Sequence, residues 1–550
     1  MKQDGVRHAV RATRDEPRAQ ARRADPCTLV ILGAGGDLMR RKLLPALYSL
    51  AANNLLPDDF TLLGAARAPL TDEEFRTSLL DALGESEEIT AVDDAAWRKL
   101  SRVVFYVSGD LTEDDTYVRL SARLSEIERP LPASTPINDA NRMIYLALPP
   151  SVFPTVVRKL SSSGVAPRAM GPDSHPWTRI VVEKPFGRDL ASARLLNRAL
   201  LELFDESQIF RIDHYLGKET VQNILVFRFA NSIFEALWNR NHIAHVQITA
   251  AEKIGVGARA QFYEEAGVFR DMFQNHLLQL LALTAMEPPA RADAGSIRDE
   301  KVKVLRSLVA PSLAGDSVQA TAAQYAAGRI DGADVPGYRQ ESGVASGSLS
   351  PTFAAARFLI DNARWKGVPF YLRSGKRMAR RVTEIAIQFR DPHMAMFGSY
   401  MRGPRSPNVL VLRIQPDEGI GLSIELKCPG PALALTPEVE VGIVSMDFDY
   451  SEVFGSTSFL AYETLLLDVM LGDATLFTRS DEVEVAWGIV DPLIRHWDRH
   501  LGARIPLYEA GSWGPPEAHE LIALDGFVWR EDFPGPGTHA VLPRQPTSRP

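Results

Sequence analysis

Thr28-Leu29-Val30-Ile31-Leu32 is a short, apolar, β-rich run that passes directly into Gly33-Ala34-Gly35-Gly36-Asp37-Leu38, and Lys42 to Leu50 then reads as a helix. Strand, glycine turn and helix in that order form the opening of a nucleotide-binding βαβ unit, which commits the chain to a parallel sheet. Glycines at the turn let backbone amides approach a pyrophosphate, and the helix N-terminus adds partial positive charge. The turn is a weak signal alone. Leu38 stands where the third glycine of G-x-G-x-x-G belongs, and Met39 occupies the small position of the looser G-x-x-G-x-x-small pattern.

The same rhythm continues. Phe60 to Arg67, Val103 to Val107, Met143 to Leu148 and Ile180 to Glu183 read as further strands, with helices near 71–83, 94–100 and 115–128 between them. Alternation of this kind predicts a doubly wound α/β domain over residues 27–210. Beyond 210 the texture changes. Val246 to Ala250, Val382 to Phe389, Val409 to Gln415, Gly421 to Lys427 and Val439 to Phe448 are strands with little helix between them, and Phe269 to Met286 reads as one long helix. Residues 211–530 are therefore expected to form an α+β domain around a large, mainly antiparallel sheet. Helices resume at Thr464 to Leu471 and Asp481 to Arg499. Residues 1–26 and 531–550 read as loose tails.

Composition bounds the partners. A net charge of −8 gives no broad attraction to nucleic acid or to an anionic membrane, so any basic site must be local. No apolar run reaches the roughly 20 residues of a membrane helix. Two cysteines, Cys27 and Cys428, make no disulfide framework, which fits the cytoplasm.

The polar residues concentrate. Arg211-Ile212-Asp213-His214-Tyr215-Leu216-Gly217-Lys218-Glu219 places a carboxylate, a histidine, a phenol and an ammonium together, a set able to orient a base and hold an anion. Arg67 ends the second strand, where folds that prefer NAD carry an acidic residue. An arginine there suits the 2′-phosphate of NADP. Glu183-Lys184-Pro185-Phe186-Gly187 ends a strand on the ligand side of the sheet, and Pro149-Pro150 ends another and would shape the wall of a cofactor pocket. Asp271 and His276 share the 270s helix, and Gly375-Lys376 with Arg380-Arg381 forms a second basic cluster. His496 and His500 stand four apart, yet Trp497 replaces the Glu of the H-E-x-x-H zinc motif. A solvated helix end is the plainer reading, and no metal is expected.

Taken in order, these segments resemble the glucose-6-phosphate dehydrogenase family. The resemblance rests on the 211–219 motif, Glu183 to Gly187, Arg270-Asp271 through Gln274-Asn275-His276-Leu277-Leu278, and Arg298-Asp299-Glu300-Lys301-Val302. Arg364-Trp365 with Gly367 to Phe370, Tyr462-Glu463 with Asp468, and Tyr508 to Pro515 also contribute. It implies oxidation of glucose 6-phosphate at C1, with hydride passing to NADP and NAD use left open. It implies His276 as general base and Asp213 as its orienter. His214, Tyr215 and Lys218 would bind the 6-phosphate; Lys184, Glu252, Asp271, Lys376 and Arg381 would meet the rest of the substrate. Gly33, Gly35, Gly36, Asp37, Leu38, Lys42, Arg67, Pro149 and Lys184 would line the cofactor site. A homodimer or homotetramer through the second domain is also implied. The chain departs from the family at Gly35, where a hydroxyl residue is usual, at Met39, where alanine is usual, and at Ala68, where many members carry a polar residue. Two alternatives stay open: an inositol-dehydrogenase-like sugar dehydrogenase, and a catalytically silent relative acting as a binding or assembly subunit.

Overall fold

The computed structural model describes residues 23–128, 140–171, 174–313, 319–392, 407–427, 441–454, 459–500 and 505–531. The tail segments 1–22 and 532–550, Cys428, and the side chain of His500 lie outside the described residues.

Six parallel strands build the first sheet: β1 (Cys27–Leu32), β2 (Phe60–Ala66), β3 (Val104–Ser108), β4 (Arg142–Leu146), β5 (Thr178–Val182) and β6 (Ile209–Ile212). Their order is β3-β2-β1-β4-β5-β6, and a short late strand, Phe477–Thr478, adds antiparallel to β6. Leu29, Val30, Ile31 and Leu32 are all fully buried, as a central strand covered on both faces requires. The strand order reverses between β1 and β4, so a crevice opens at their carboxyl ends, where ligands bind in sheets of this kind.

Gly33 sits at that point. Its φ is +94°, and a Cβ there would lie 2.2 Å from Ala147 O, just beyond β4. Gly33 N–H and Ala34 N–H both donate to Ala65 O, at 2.8 and 3.1 Å, which folds the turn back onto β2. Gly35 is different: a Cβ there would make an ordinary 3.5 Å contact with Ala66. The helix after the turn begins as a π-helix, Met39–Leu43, and continues as Leu44–Ala52.

The second sheet has ten strands and is mainly antiparallel. Its middle is β7 (Ile243–Ala251), which pairs parallel with Phe370–Gly375 on one side and antiparallel with Val382–Phe389 on the other. The strands Ala320–Ala326, Phe353–Ile360 and Phe370–Gly375 are additions to the sequence reading. The first two carry Ala-Thr-Ala-Ala and Phe-Ala-Ala-Ala runs, and alanine is a poor strand former whose pairing here follows from burial between neighbours. The register has a consequence for chemistry. Ala251 and Gly375 are partners in a parallel pair, so the next residue on each chain, Glu252 and Lys376, leaves the sheet at the same edge.

The segment read as one regular helix, Phe269 to Met286, is two. Phe269–Leu277 is a π-helix and Leu278–Ala285 an α-helix. A helix from Ser480 to His500 packs along the π-helix.

Gly33→Ala is expected to destabilise the protein by roughly 3 kcal/mol or more, from the positive φ and the overlap with Ala147 O, whereas Gly35→Ala changes it by less than about 1 kcal/mol. Thermal unfolding of the two variants checks this, and equal melting temperatures would contradict the asymmetry.

Candidate active site

The core of the site is a bond between two distant chain segments. The buried strand β6 ends at Ile212, and the chain turns at once around the Asp213 carboxylate, which accepts Tyr215 N–H at 3.0 Å. Asp213 Oδ1 lies 2.5 Å from His276 Nδ1, with both side chains 1% exposed. His276 Nε2 in turn lies 2.8 Å from Lys184 Nζ. An ammonium can only donate, so Nε2 is the acceptor and Nδ1 carries the proton donated to Asp213. The imidazole is thus neutral, with its basic lone pair turned toward Lys184.

The π-helix explains how Lys184 reaches two residues five positions apart. Its Nζ lies 3.3 Å from Asp271 Oδ1 and 3.4 Å from Asp271 O, as well as beside His276. At about 100° per residue, an α-helix would place Asp271 and His276 on faces about 140° apart. Winding with i→i+5 hydrogen bonds brings residues five apart close to one line. The single regular helix read from the sequence would have kept the two side chains on different faces; the π winding brings them toward one.

The electrostatics follow from burial and pairing. Burial presses the Asp213 carboxyl upward, but its pairing with His276 holds it well below the usual carboxylate range, and His214 and Lys184 act the same way. Burial pushes His276 below the ordinary histidine value; Asp213 opposes this and Lys184 reinforces it. Asp271 is held low against its burial by Lys184 and then Lys376.

His214, Tyr215 and Lys218 gather on one side of this core. The His214 ring is centred 4.6 Å from that of His276, and the Tyr215 ring stacks on His276 at 4.1 Å. Lys218 Nζ lies 5.0 Å from the Tyr215 ring centre and donates to Gln415 Oε1. Burial lowers Lys218 to about 8, with Arg381 and Lys42 among the like charges nearby. His214 is pushed well below its ordinary value by burial, then by His276 and Lys184, so a bound dianion would supply the charge this corner lacks. On the other side Lys376 Nζ meets Glu252 Oε2 at 2.5 Å. The charge of Lys376 acts on Asp271, which joins this pair to the core.

The remaining sequence candidates are more peripheral. Arg381 is exposed and lines an open, solvent-filled groove together with Arg380, Arg413 and Gln415. Lys42 forms an ion pair with Glu88 while lying within electrostatic reach of Lys218. Gly35, Gly36, Asp37 and Leu38 make the rim of the turn, and Arg67 is exposed just beyond β2, where its charge lowers Asp110 after the bonds Asp110 accepts from Thr112. Pro149 precedes a short 3-10 turn at the end of β4. The Lys184-Pro185 peptide is cis. These residues fit a dinucleotide: an open glycine turn lies at the strand-order reversal, with a cation beyond the second strand.

Three residues received no role from the sequence. Glu183 is buried, and its Oε1 accepts hydrogen bonds from Tyr145 and, at 3.0 Å, from Tyr462. Burial raises the Glu183 carboxyl even against both phenols. The Tyr462 ring lies parallel to His214 at 6.4 Å. The readable signal was polarity out of place: Tyr145 in an apolar strand and Glu183 closing another. Among the described residues, Asp213, His214 and His276 are the set whose donor atoms, within 4.8 Å of one another, could hold a metal. Both ring nitrogens of His276 are already engaged, one by Asp213 and one by an ammonium.

Two family models match the chain: Glucose-6-phosphate dehydrogenase, NAD binding domain, over residues 30–223, and Glucose-6-phosphate dehydrogenase, C-terminal domain, over residues 225–530. The chain is 45% identical to glucose-6-phosphate 1-dehydrogenase 2 of Mycobacterium tuberculosis over 92% of its own length and 95% of that protein. It is 44% identical to the glucose-6-phosphate 1-dehydrogenase of Aggregatibacter actinomycetemcomitans, over 92% and 98%. Among solved structures, a glucose-6-phosphate dehydrogenase in complex with glucose 6-phosphate aligns with a TM-score of 0.82 at 36% identity, covering 93% of this chain and 100% of that one. Glucose-6-phosphate 1-dehydrogenase from Mycobacterium avium aligns with a TM-score of 0.76 at 34% identity, covering 93% and 99%.

Proposed function

The chain belongs to the glucose-6-phosphate dehydrogenase family, and from that premise we propose that it oxidises D-glucose 6-phosphate at C1 to 6-phospho-D-glucono-1,5-lactone, with hydride transfer to NADP. The observation that carries the reading is the buried line Asp213–His276–Lys184, a neutral imidazole with its orienter on one nitrogen and a displaceable ammonium on the other.

The reaction removes two groups from C1: a hydride from carbon and a proton from the hydroxyl. The nicotinamide, when bound, accepts the hydride. His276 Nε2 takes the proton once the sugar hydroxyl replaces Lys184 at that nitrogen. Asp213 accepts the Nδ1 proton throughout and stabilises the imidazolium that forms. Lys184 is then free to donate to the sugar while staying tied to Asp271. His214, Tyr215 and Lys218 hold the 6-phosphate; this remote grip supplies the binding energy that positions C1. Glu252 accepts from sugar hydroxyls and Lys376 donates to them. NADP preference is assigned to Arg67, and Gly35 takes away one phosphate contact that a hydroxyl would offer.

A homodimer or homotetramer is supported by the second sheet. Leu426, Val444 and Met446 are 48%, 39% and 51% exposed on adjacent strands near its edge, an apolar patch suited to a second copy. No helix among the described residues is long and apolar enough to cross a membrane. The cytoplasm remains the compartment that the sparse cysteines favour.

His276→Asn is expected to lower kcat by about 10²–10⁴-fold with KM for glucose 6-phosphate little changed; near-normal steady-state turnover would remove it as the base. Because Lys218 is lowered to about 8, its charge fades as pH rises past that value, and kcat/KM for glucose 6-phosphate should fall there. Lys218→Arg should remove that alkaline fall, and free glucose should not show it; identical profiles for the two sugars count against a phosphate role. Arg67→Ala should raise KM for NADP about tenfold or more while leaving KM for NAD nearly unchanged, as expected when a charge-assisted bond worth about 1.5–3 kcal/mol is lost. Initial rates with both cofactors decide it, and a parallel loss for NAD would refute the assignment.

A further inference from the structure

The Arg298 to Val302 run has no part in the reaction above, yet Lys301 Nζ lies 2.9 Å from Glu482 Oε1 with the two side chains 1% and 0% exposed. Burying such a pair carries a desolvation penalty that its attraction only partly offsets, and an apolar pair would pack as well. Packing alone is therefore a poor reason for it.

Lys301 stands on the helix Ala294–Arg306, and Glu482 lies in the first turn of the helix Ser480–His500. That second helix reaches all three chain segments of the site, one of them through Glu206. Ser480 N–H donates to Glu206 Oε1 at 3.1 Å, and the same carboxylate holds the buried Arg211 at 2.6 Å, two residues before Asp213. Trp487 Nε1–H donates to Phe186 O at 2.9 Å, two residues after Lys184. Along its length the helix packs against the π-helix that carries His276.

We propose that the Ser480–His500 helix sets the register of Asp213, Lys184 and His276 against one another, and that Lys301 and Glu482 are positioning residues that fix its placement. The inference rests on the reading of His276 as the base. The pair is a buried charge contact rather than an aligned hydrogen bond, so it fixes the separation of the two helices by attraction that an apolar contact lacks, and a misplacement of about 1 Å can cost about 10²-fold in rate.

The test compares the wild-type protein with Lys301→Met/Glu482→Leu, in which both members of the pair are removed together and Arg298 keeps Glu206 as a nearby opposite charge, using NADP and glucose 6-phosphate with hydrogen or deuterium at C1. The expected result is a folded protein with kcat at least about tenfold lower, a larger deuterium isotope effect on kcat, and an acid limb of kcat moved to lower pH. The limb moves that way because Asp213 raises His276, and a loosened Asp213 raises it less. A merely structural pair would change only the amount of active enzyme. Wild-type kcat, or a lower kcat with the isotope effect and pH profile unmoved, overturns the proposal. Trp487→Phe, which loses only the indole N–H, carries the same test if the double variant does not fold: a raised isotope effect supports the proposal and a wild-type one overturns it. His276→Asn separates the two levels. Retained turnover there removes the base assignment, whereas collapse there with a wild-type-like double variant removes only the positioning role.

Discussion

The hydrogen bond from His276 to Asp213 is the constraint on which the rest of the site depends. Both partners are buried, and they come from opposite sides of the molecule's division of labour: Asp213 from the exit of a parallel strand, His276 from a π-helix beside the second sheet. In a dry setting such a bond is electrostatically strong, and leaving either partner alone would strand a polar group. It also fixes the imidazole tautomer. Once Nδ1 is committed to Asp213, Nε2 is the nitrogen left to act as the proposed base, and on that proposal the groups that touch substrate would converge on this one atom.

The charges around this atom are arranged unequally, and the inequality supports the proposed placement of the phosphate. Lys184 has Asp271 and Lys376 has Glu252, so each of these ammoniums is neutralised before substrate arrives. Lys218 instead donates to the neutral amide of Gln415 and faces a tyrosine ring; Glu418 acts on it from a distance as the nearest opposing charge, against Arg381 and Lys42 of the same sign. A sugar hydroxyl can be exchanged into a lysine–carboxylate pair at small electrostatic cost. A dianion is best placed where positive charge lacks a carboxylate in hydrogen-bond contact. On the proposed reading the sugar would have one orientation in which both ends are satisfied.

Much of this was legible in the chain because it depends on local pattern. The first sheet follows from apolar strands alternating with helices, and the strands from Val382 to Gln415 fall at the bounds their alternation predicts. The residues around His276 were legible as types. Their alignment was not, because a π-helix differs from an α-helix by one residue per turn and leaves no sequence period of its own. Two strands of the second sheet, Ala320–Ala326 and Phe353–Ile360, were missed where alanine dilutes β propensity and tertiary burial decides. The contact of Glu183 with Tyr145 and Tyr462 joins residues up to 279 positions apart, a distance over which no local pattern speaks.

The glycine turn shows where a departure from family pattern touches shape and where it touches only contacts. Gly33 is required by the backbone, since its positive φ and the nearby Ala147 carbonyl exclude a side chain. Gly35 is not required in that sense, because a Cβ there would meet only Ala66 at ordinary distance. The hydroxyl residue usual in the family would fit, so its absence removes a possible contact without reshaping the turn. Met39 is fully buried, and the helix begins its π winding at that residue, so the larger side chain coincides with a wider turn. Shape at the glycine turn does not depend on the missing hydroxyl, while the proposed discrimination between the two nicotinamide cofactors would fall on Arg67, a cation at the surface. An exposed arginine contributes little until a phosphate desolvates and orders it, so the preference it confers should weaken with salt more than the reaction itself does.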